Sequence, residues 1–348
     1  MLTALPPASR DLHREHHSFS QIGRLPAPAP SDTESNERII VLGMGRRSLE
    51  PGWVGVAPLG ECVRVVHMVC SLGERPVLRW ADTGPWSDPH STLRGLRRSH
   101  GLNRLRLVTL LERRQYQLLS MEAPDVPRDD WRDAARWSLK DMVDFAMDDA
   151  GLALLDVPAD PSQRRRTSLI AVVAPQAQLA PLAALGADAG TPWQAIDVPE
   201  TALRNIAALT EEPGRAQALL HVGESHSALV VTVQGELLLA RHIDVSLGQL
   251  TGIDDDARTQ AFERASLELQ RTLDSIERQF SHLSLGGVLV CPGAPLAEFI
   301  AYAGELVYAP VTGLDLARYL DLSAAPELAD PIQQAAYLPA IGAALRRD

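Results

Sequence analysis

The chain has 348 residues, 45% of them hydrophobic and 22% charged, which is typical of a globular protein with one long domain or two medium ones. Its net charge of −11 argues against nucleic acid as the main partner, because phosphate binding needs a basic surface. Three widely spaced cysteines show neither metal-binding spacing nor a disulfide framework, and no apolar run approaches the ~20 residues that span a bilayer. We therefore expect a soluble, cytoplasmic protein without a transmembrane segment or signal peptide.

The predicted elements follow a tail. Residues 1–37 are rich in Pro, Ser and charge, which predicts disorder. A β-meander, a helix and a further strand are then predicted at 53–57, 62–68, 76–81, 92–100 and 105–111. Seven arginines between 94 and 114 either face an acidic partner or an anionic membrane, or form a solvated surface, which is the simpler interpretation.

A second group of elements reads as an insert. Its helix at 127–143 is amphipathic, since Trp131, Ala135, Leu139 and Met142 share one face. Strands at 152–157 and 169–174, a helix at 177–185 and a strand at 193–198 complete the predicted strand–strand–helix–strand unit. A helix at 199–209 follows, with Pro199 and Glu200 in its first turn.

The last part repeats the order of the first. Strands are predicted at 218–222, 228–233 and 237–241, then the longest helix at 255–279 and a strand at 287–291. A helix at 295–303, a strand at 306–311 and a final helix at 331–346 complete it. This duplication predicts a two-lobed α/β protein with a ligand site between the two hairpin tips. The predicted division is a first lobe at 38–126, an insert at 127–198, a returning helix at 199–214 and a second lobe at 215–348.

The hairpin tip at 223–227, GESHS, allows several interpretations. Gly223 and Ser225 either aim N–H groups and a hydroxyl at a phosphate or simply reverse the chain, which is the more common use of such residues. The segment also approaches the GxSxG motif of serine hydrolases, but Ser227 replaces the last glycine and a strand, not a helix, follows. His221, His226 and His242 suggest a metal site, although no Cys, Asp or Glu completes a ligand set, so we predict none.

Several segments resemble a known family. The double meander resembles actin-like ATPases with a duplicated ribonuclease H-like fold and, in detail, the PilM family of type IV pilus assembly proteins, including MshI of mannose-sensitive haemagglutinin (MSHA) pili. The matching segments run from about residue 51 to the end of the chain, and they are 54–56 with 63–68, 135–149, 197–209 (DVPETALRNIAAL), 267–275 (LELQRTLDS) and 340–346.

The resemblance also implies a nucleotide site, which this sequence departs from. In active relatives an Asp in each hairpin holds Mg²⁺, but the two positions correspond here to Ala57 and His221. Gly223, Ser225 and Gly293 remain as a vestigial ATP site. We therefore expect a pseudo-ATPase without metal ligands, and the alternative is a genuine ATP-binding switch or ATPase.

The resemblance further implies a partner. PilM captures the cytoplasmic tail of the inner-membrane protein PilN, so we expect a scaffold that links a PilN-like tail to the pilus assembly ATPase. Trp137 and Phe145, at the start of the insert, are either core residues of a small subdomain or aromatic anchors for that peptide.

Overall fold

The structure, a computed structural model, describes residues 49–158 and 167–346. The tail at 1–37 that the sequence predicts to be disordered lies outside these ranges. The strands are β1 (Trp53–Leu59), β2 (Cys62–Val69), β3 (Val77–Pro85), β4 (Arg106–Leu110), β5 (Gln117–Glu122), β6 (Ala150–Asp156), β7 (Ser168–Pro175), β8 (Ala195–Asp197), β9 (Arg215–Val222), β10 (Ser227–Val233), β11 (Glu236–Ile243), β12 (Ser284–Cys291) and β13 (Val311–Gly313). The α-helices are α1 (Pro89–His100), α2 (Trp131–Leu139), α3 (Gln176–Asp188), α4 (Pro199–Thr210), α5 (Leu247–Leu250), α6 (Asp255–Gln279), α7 (Ala297–Leu306) and α8 (Pro331–Ala344).

Two five-stranded sheets have the same topology. The first has the order β3-β2-β1-β4-β8 and the second the order β11-β10-β9-β12-β13. In each sheet the first three strands form an antiparallel meander, and the last two run parallel to the first strand of that meander. The predicted duplication is therefore confirmed, and the two hairpins β1–β2 and β9–β10 hold equivalent places in their sheets.

The third, antiparallel sheet corrects the predicted insert. Its order is β5-β7-β6, so one of its strands precedes residue 127. Strand β5 was not predicted, and the predicted strand at 193–198 was assigned to the wrong sheet, since β8 pairs with β4 of the first lobe. The sheet to which β5 and β8 belong is determined in both cases by pairing with a strand far away in the sequence. The division of the chain into domains otherwise stays a prediction.

Two further elements differ from the prediction. The segment at 306–311 is not a strand, because α7 continues to Leu306 and β13 begins only at Val311. The helix at 127–143 is shorter, with a 3₁₀ turn (Arg128–Asp130) before α2. The long helix α6 spans the predicted residues, and Asp254 caps its first turn by accepting from the Ala257 amide at 3.0 Å.

Helices α4 and α8 each cover one of the five-stranded sheets. Helix α4 packs on β9, β10 and β11, whereas the C-terminal helix α8 packs on β1 and β2. The two helices also contact each other, and there a Cβ atom on Gly342 would lie only 2.2 Å from the carbonyl oxygen of Ala202. Gly55 meets α8 just as closely, since its Cβ would lie 2.1 Å from the Ala340 carbonyl oxygen. Glycine is thus required where the two helices and the first sheet meet.

Candidate functional site

At the tip of the β9–β10 hairpin, the backbone groups of Gly223 are hydrogen-bonded within the protein. The Gly223 amide donates to the His226 carbonyl at 3.1 Å, and the Gly223 carbonyl accepts from the Leu247 amide at 2.8 Å. A Cβ on Gly223 would lie 2.8 Å from the His226 carbonyl oxygen, so the tight turn itself explains this glycine. Ser225 is exposed, and its hydroxyl is 2.8 Å from His226 Nδ1.

Gly293 follows the carboxyl end of β12, at the same end of the sheet as the hairpin tip that follows β9. In the parallel pairing of β12 with β9, Cys291 is in register with His221, so Gly293 and Gly223 each follow a paired residue by two positions. A Cβ on Gly293 would lie 2.9 Å from Gly313 Cα. The three residues predicted for a nucleotide site thus share one edge, but close packing accounts for both glycines without a ligand.

Ala57 and His221, the two positions at which the sequence comparison expects Mg²⁺ ligands, carry no side-chain oxygen. Ala57 is buried on β1. His221 Nε2 donates to the Ala335 carbonyl on α8 at 3.0 Å, and burial lowers the pKa of its imidazole to about 4, so the ring is neutral at pH 7. Because Mg²⁺ prefers hard oxygen ligands in octahedral geometry, these two residues do not fit the ion.

A cation lies beside the first of these positions. Arg64 is the cross-strand partner of Ala57, and its guanidinium lies 5.3 Å from the centre of the Tyr337 ring and donates to the Thr83 hydroxyl. A fixed positive charge next to Ala57 disfavours a divalent cation there. Within 49–158 and 167–346, no group of three or more His, Cys, Asp or Glu side chains is arranged to hold a metal ion.

The other interpretations of the tip find no support in the geometry. Ser227, the fifth residue of the GxSxG-like segment, opens strand β10, so the helix of a nucleophile elbow is absent. His226 and His242 have ring centres 5.6 Å apart, but His242 binds a carboxylate, Glu200, and His221 binds a carbonyl, so these three histidines do not form a ligand set.

A buried polar cluster near the hairpin tip was not predicted from the sequence. The Glu200 side chain is 1% exposed, and its two oxygens accept from the Tyr116 hydroxyl and from His242 Nε2, each at 2.6 Å. Burial and the neighbouring carboxylate raise the pKa of Tyr116, so its hydroxyl stays protonated and donates. The sequence predicted Glu200 only as a residue in the first turn of a helix. Its hydrogen-bond partners were missed because they are far away in the chain.

The two predicted partner-binding residues lie in different environments. Trp137 on α2 has an exposed fraction of 79%, and Lys140 Nζ lies 5.9 Å from its ring centre. Phe145 is half-buried and packs against the core cluster of the third sheet, which includes Leu139 and Met147. Trp137 is therefore available to a partner, whereas Phe145 supports the subdomain.

Comparison with known proteins identifies the fold. No protein-family model and no curated protein matches the sequence. Among solved structures, a chain of the PilM–PilN type IV pilus biogenesis complex matches with a TM-score of 0.66 at 18% identity, over 85% of this chain and 98% of that one. A Bacteroides thetaiotaomicron protein with an actin-like ATPase fold matches with a TM-score of 0.44 at 8% identity, over 83% and 100%. The cytoplasmic domain of EpsL, from the Vibrio cholerae type II secretion system, matches with a TM-score of 0.39 at 12% identity, over 57% and 73%. The chain has the predicted actin-like fold.

Proposed function

We propose that this protein is a cytoplasmic scaffold of a type IV pilus machine, of the MSHA type, that binds the cytoplasmic tail of a PilN-like inner-membrane protein. The fold it shares with a chain of the PilM–PilN complex supports the general role, and the segments that resemble MshI support the specific one. No helix in the described ranges is long and apolar enough to cross a bilayer. In this proposal the partner therefore supplies the attachment to the membrane and links the scaffold to the assembly ATPase.

The exposed Trp137 side chain carries the proposal. Exposing the apolar surface of a tryptophan ring to water is unfavourable in a free monomer. Aromatic side chains are also the preferred anchors of peptide interfaces. Met142 on the segment after α2 is 49% exposed and Val126 before it is 40% exposed, so the anchor has apolar neighbours in sequence.

The charge around Trp137 fits the proposed partner. Residues 125–149 contain eight aspartates against four basic side chains, and Asp133, Asp141 and Asp144 are exposed. The basic side chains have partners of their own, such as Arg136, which donates to the Met147 carbonyl at 2.6 Å. Cytoplasmic segments next to a membrane span carry an excess of Lys and Arg, so an acidic face with an aromatic anchor complements such a tail.

The binding test uses an immobilised peptide from the cytoplasmic tail of the PilN-like protein encoded beside this chain. Trp137→Ala is expected to weaken binding at least tenfold, because hot-spot aromatics contribute about 2 kcal/mol or more. Leu72→Ala is the matched control, since Leu72 is an even more exposed apolar side chain but lies on the β2–β3 loop of the first lobe. Equal binding of the natural peptide and a scrambled one would reject the proposal.

The proposal includes loss of ATPase activity. Phosphoryl transfer depends on metal ions that neutralise charge, and Ala57, His221 and Arg64 together offer no oxygen ligand and one cation. The alternative, a genuine ATP-dependent switch, is favoured only by the common edge of Gly223, Ser225 and Gly293. Thermal melting with and without Mg-ATP separates the two, because saturation at a hundred times Kd stabilises the folded state by ~2.7 kcal/mol. The scaffold predicts an unchanged Tm at millimolar nucleotide, and a rise that is abolished by Ser225→Ala would favour the switch.

A further inference from the structure

One buried carboxylate connects three separate parts of the fold. Tyr116 lies in the first half of the chain, between β4 and β5, Glu200 lies in the first turn of α4, and His242 lies on β11 of the second sheet. The Tyr116–Glu200 and Glu200–His242 hydrogen bonds are both 2.6 Å long. A charged acceptor with two short bonds is a stronger contact than a neutral pair, and losing either donor leaves a buried charge with a missing partner.

Two members of this contact are buried. Tyr116 is 2% exposed and the Glu200 side chain 1%, whereas the His242 side chain is 25% exposed. Arg113 lies 5.8 Å from the centre of the Tyr116 ring. The Glu200 carboxylate is thus held by one hydrogen-bond partner from the first lobe, Tyr116, and by one from strand β11 of the second lobe, His242.

A second contact between the lobes lies elsewhere on the first sheet. The segment after β13 adds to the free edge of β3, where the Leu78 amide donates to the Asp321 carbonyl and the Asp321 amide donates to the Pro76 carbonyl, each at 2.9 Å. Arg75, just before β3, donates to the Leu320 carbonyl at 2.6 Å and also to the Ala317 carbonyl. This contact combines backbone pairing with an arginine that caps a 3₁₀ turn.

The two contacts are far apart in the order of the first sheet. Strand β3 is at one edge, whereas Tyr116 follows β4, which neighbours the strand at the other edge. A rotation of one lobe against the other leaves both contacts in place only if its axis passes through both of them, so a hinge about any other axis must break at least one contact. We propose that the Tyr116–Glu200–His242 contact and the contact of residues 75–78 with residues 317–321 form an interlobe lock. This lock makes the two lobes move as one body and prevents them from opening and closing against each other.

The test measures the distance between the lobes with two spin labels. In the full chain with Cys62→Ser and Cys70→Ser, labels replace Ser91 on α1 and Gln270 on α6, both of which are exposed. The locked protein is expected to give one narrow distance distribution. Tyr116→Phe combined with Arg75→Ala removes one hydroxyl and one guanidinium, and we expect the distribution to widen about twofold as hinge motion is released.

Matched controls separate the lock from a general loss of packing. Tyr308→Phe removes a hydroxyl that bonds Leu273 within the second lobe, and Arg215→Ala removes a guanidinium that bonds the Leu285 carbonyl in the same lobe. This control pair is expected to leave the distribution narrow. Glu200→Gln combined with Arg75→Ala is a second lock variant, which keeps the size of the Glu200 side chain and is likewise expected to widen the distribution. A broad or double distribution in the starting protein, or a narrow one in both lock variants, would overturn the proposal.

Discussion

The buried ion pair between Arg346 and Asp197 allows the sharpest prediction on stability. The side chains of Arg346, just after α8, and Asp197, at the end of β8, are 14% and 7% exposed. The Arg346 guanidinium also lies 5.6 Å from the centre of the Trp53 ring. The pair therefore fixes the C-terminus to the edge strand of the first sheet and to the start of β1.

Replacing one member of this pair leaves the other charge buried. Arg346→Met keeps much of the aliphatic volume, and the lost pairing costs about 3–5 kcal/mol, to which the lost cation–π contact adds about 0.5–1 kcal/mol. Asp197→Asn alone is expected to cost a similar amount. The double variant should cost less than the sum of the two, because no unpaired charge then remains.

Urea unfolding followed by circular dichroism measures these differences as shifts of the midpoint at constant slope. The matched control is Arg128→Met, which removes the partner of Asp156 in a pair with side chains 63% and 37% exposed. An exposed pair contributes about 0–1 kcal/mol. If Arg346→Met costs no more than Arg128→Met, or if the two single effects simply add, the reasoning is wrong.

Three further predictions concern single residues. Gly342→Ala should destabilise the protein by about 3 kcal/mol or more in urea unfolding, because its Cβ would overlap the Ala202 carbonyl. Gly304 is a helical position with open space around the Cβ, so Gly304→Ala should be neutral or stabilising. The pKa of His221 falls from 6.5 to about 4 on folding, so the unfolded chain binds more protons between these pH values. The free energy of unfolding therefore decreases as the pH falls through this window, by at most about 3 kcal/mol from this residue. His221→Gln should reduce that loss. Burial raises the pKa of Cys291 to about 12, so at pH 8 a thiol reagent should label Cys62 and Cys70 in the folded protein and Cys291 only after unfolding; rapid labelling of all three would contradict the burial.

Local patterns were sufficient to predict much of the second lobe. The apolar runs on both sides of Gly223 predicted β9 and β10, because a small polar turn between two strand-like runs has few other solutions. The apolar face of α6, from Phe262 to Ile276, likewise predicted a helix whose bounds match the structure.

Strand pairing between segments far apart in the chain could not be predicted from the sequence. Strand β5 (QLLSME) lacks a run of β-branched residues, so its place beside β7 depends on a partner about fifty residues away. The segment 195–197 is too short to show by itself which sheet it joins. The candidate site has the same limitation, since Glu200 and His242 lie in different elements and neither residue type alone indicates a contact.

The packing of α8 on the first sheet has a consequence for the synthesis of the chain. Strands β1 and β2 leave the ribosome long before α8, the helix that covers one face of them. Until residue 344 is available, Val66 and Met68 of β2 lack the cover that α8 provides on that side, and contacts of such high sequence separation form slowly. The nascent first lobe therefore exposes apolar surface to aggregation until α8 is made, and loss of α8 alone would uncover this face of the first sheet.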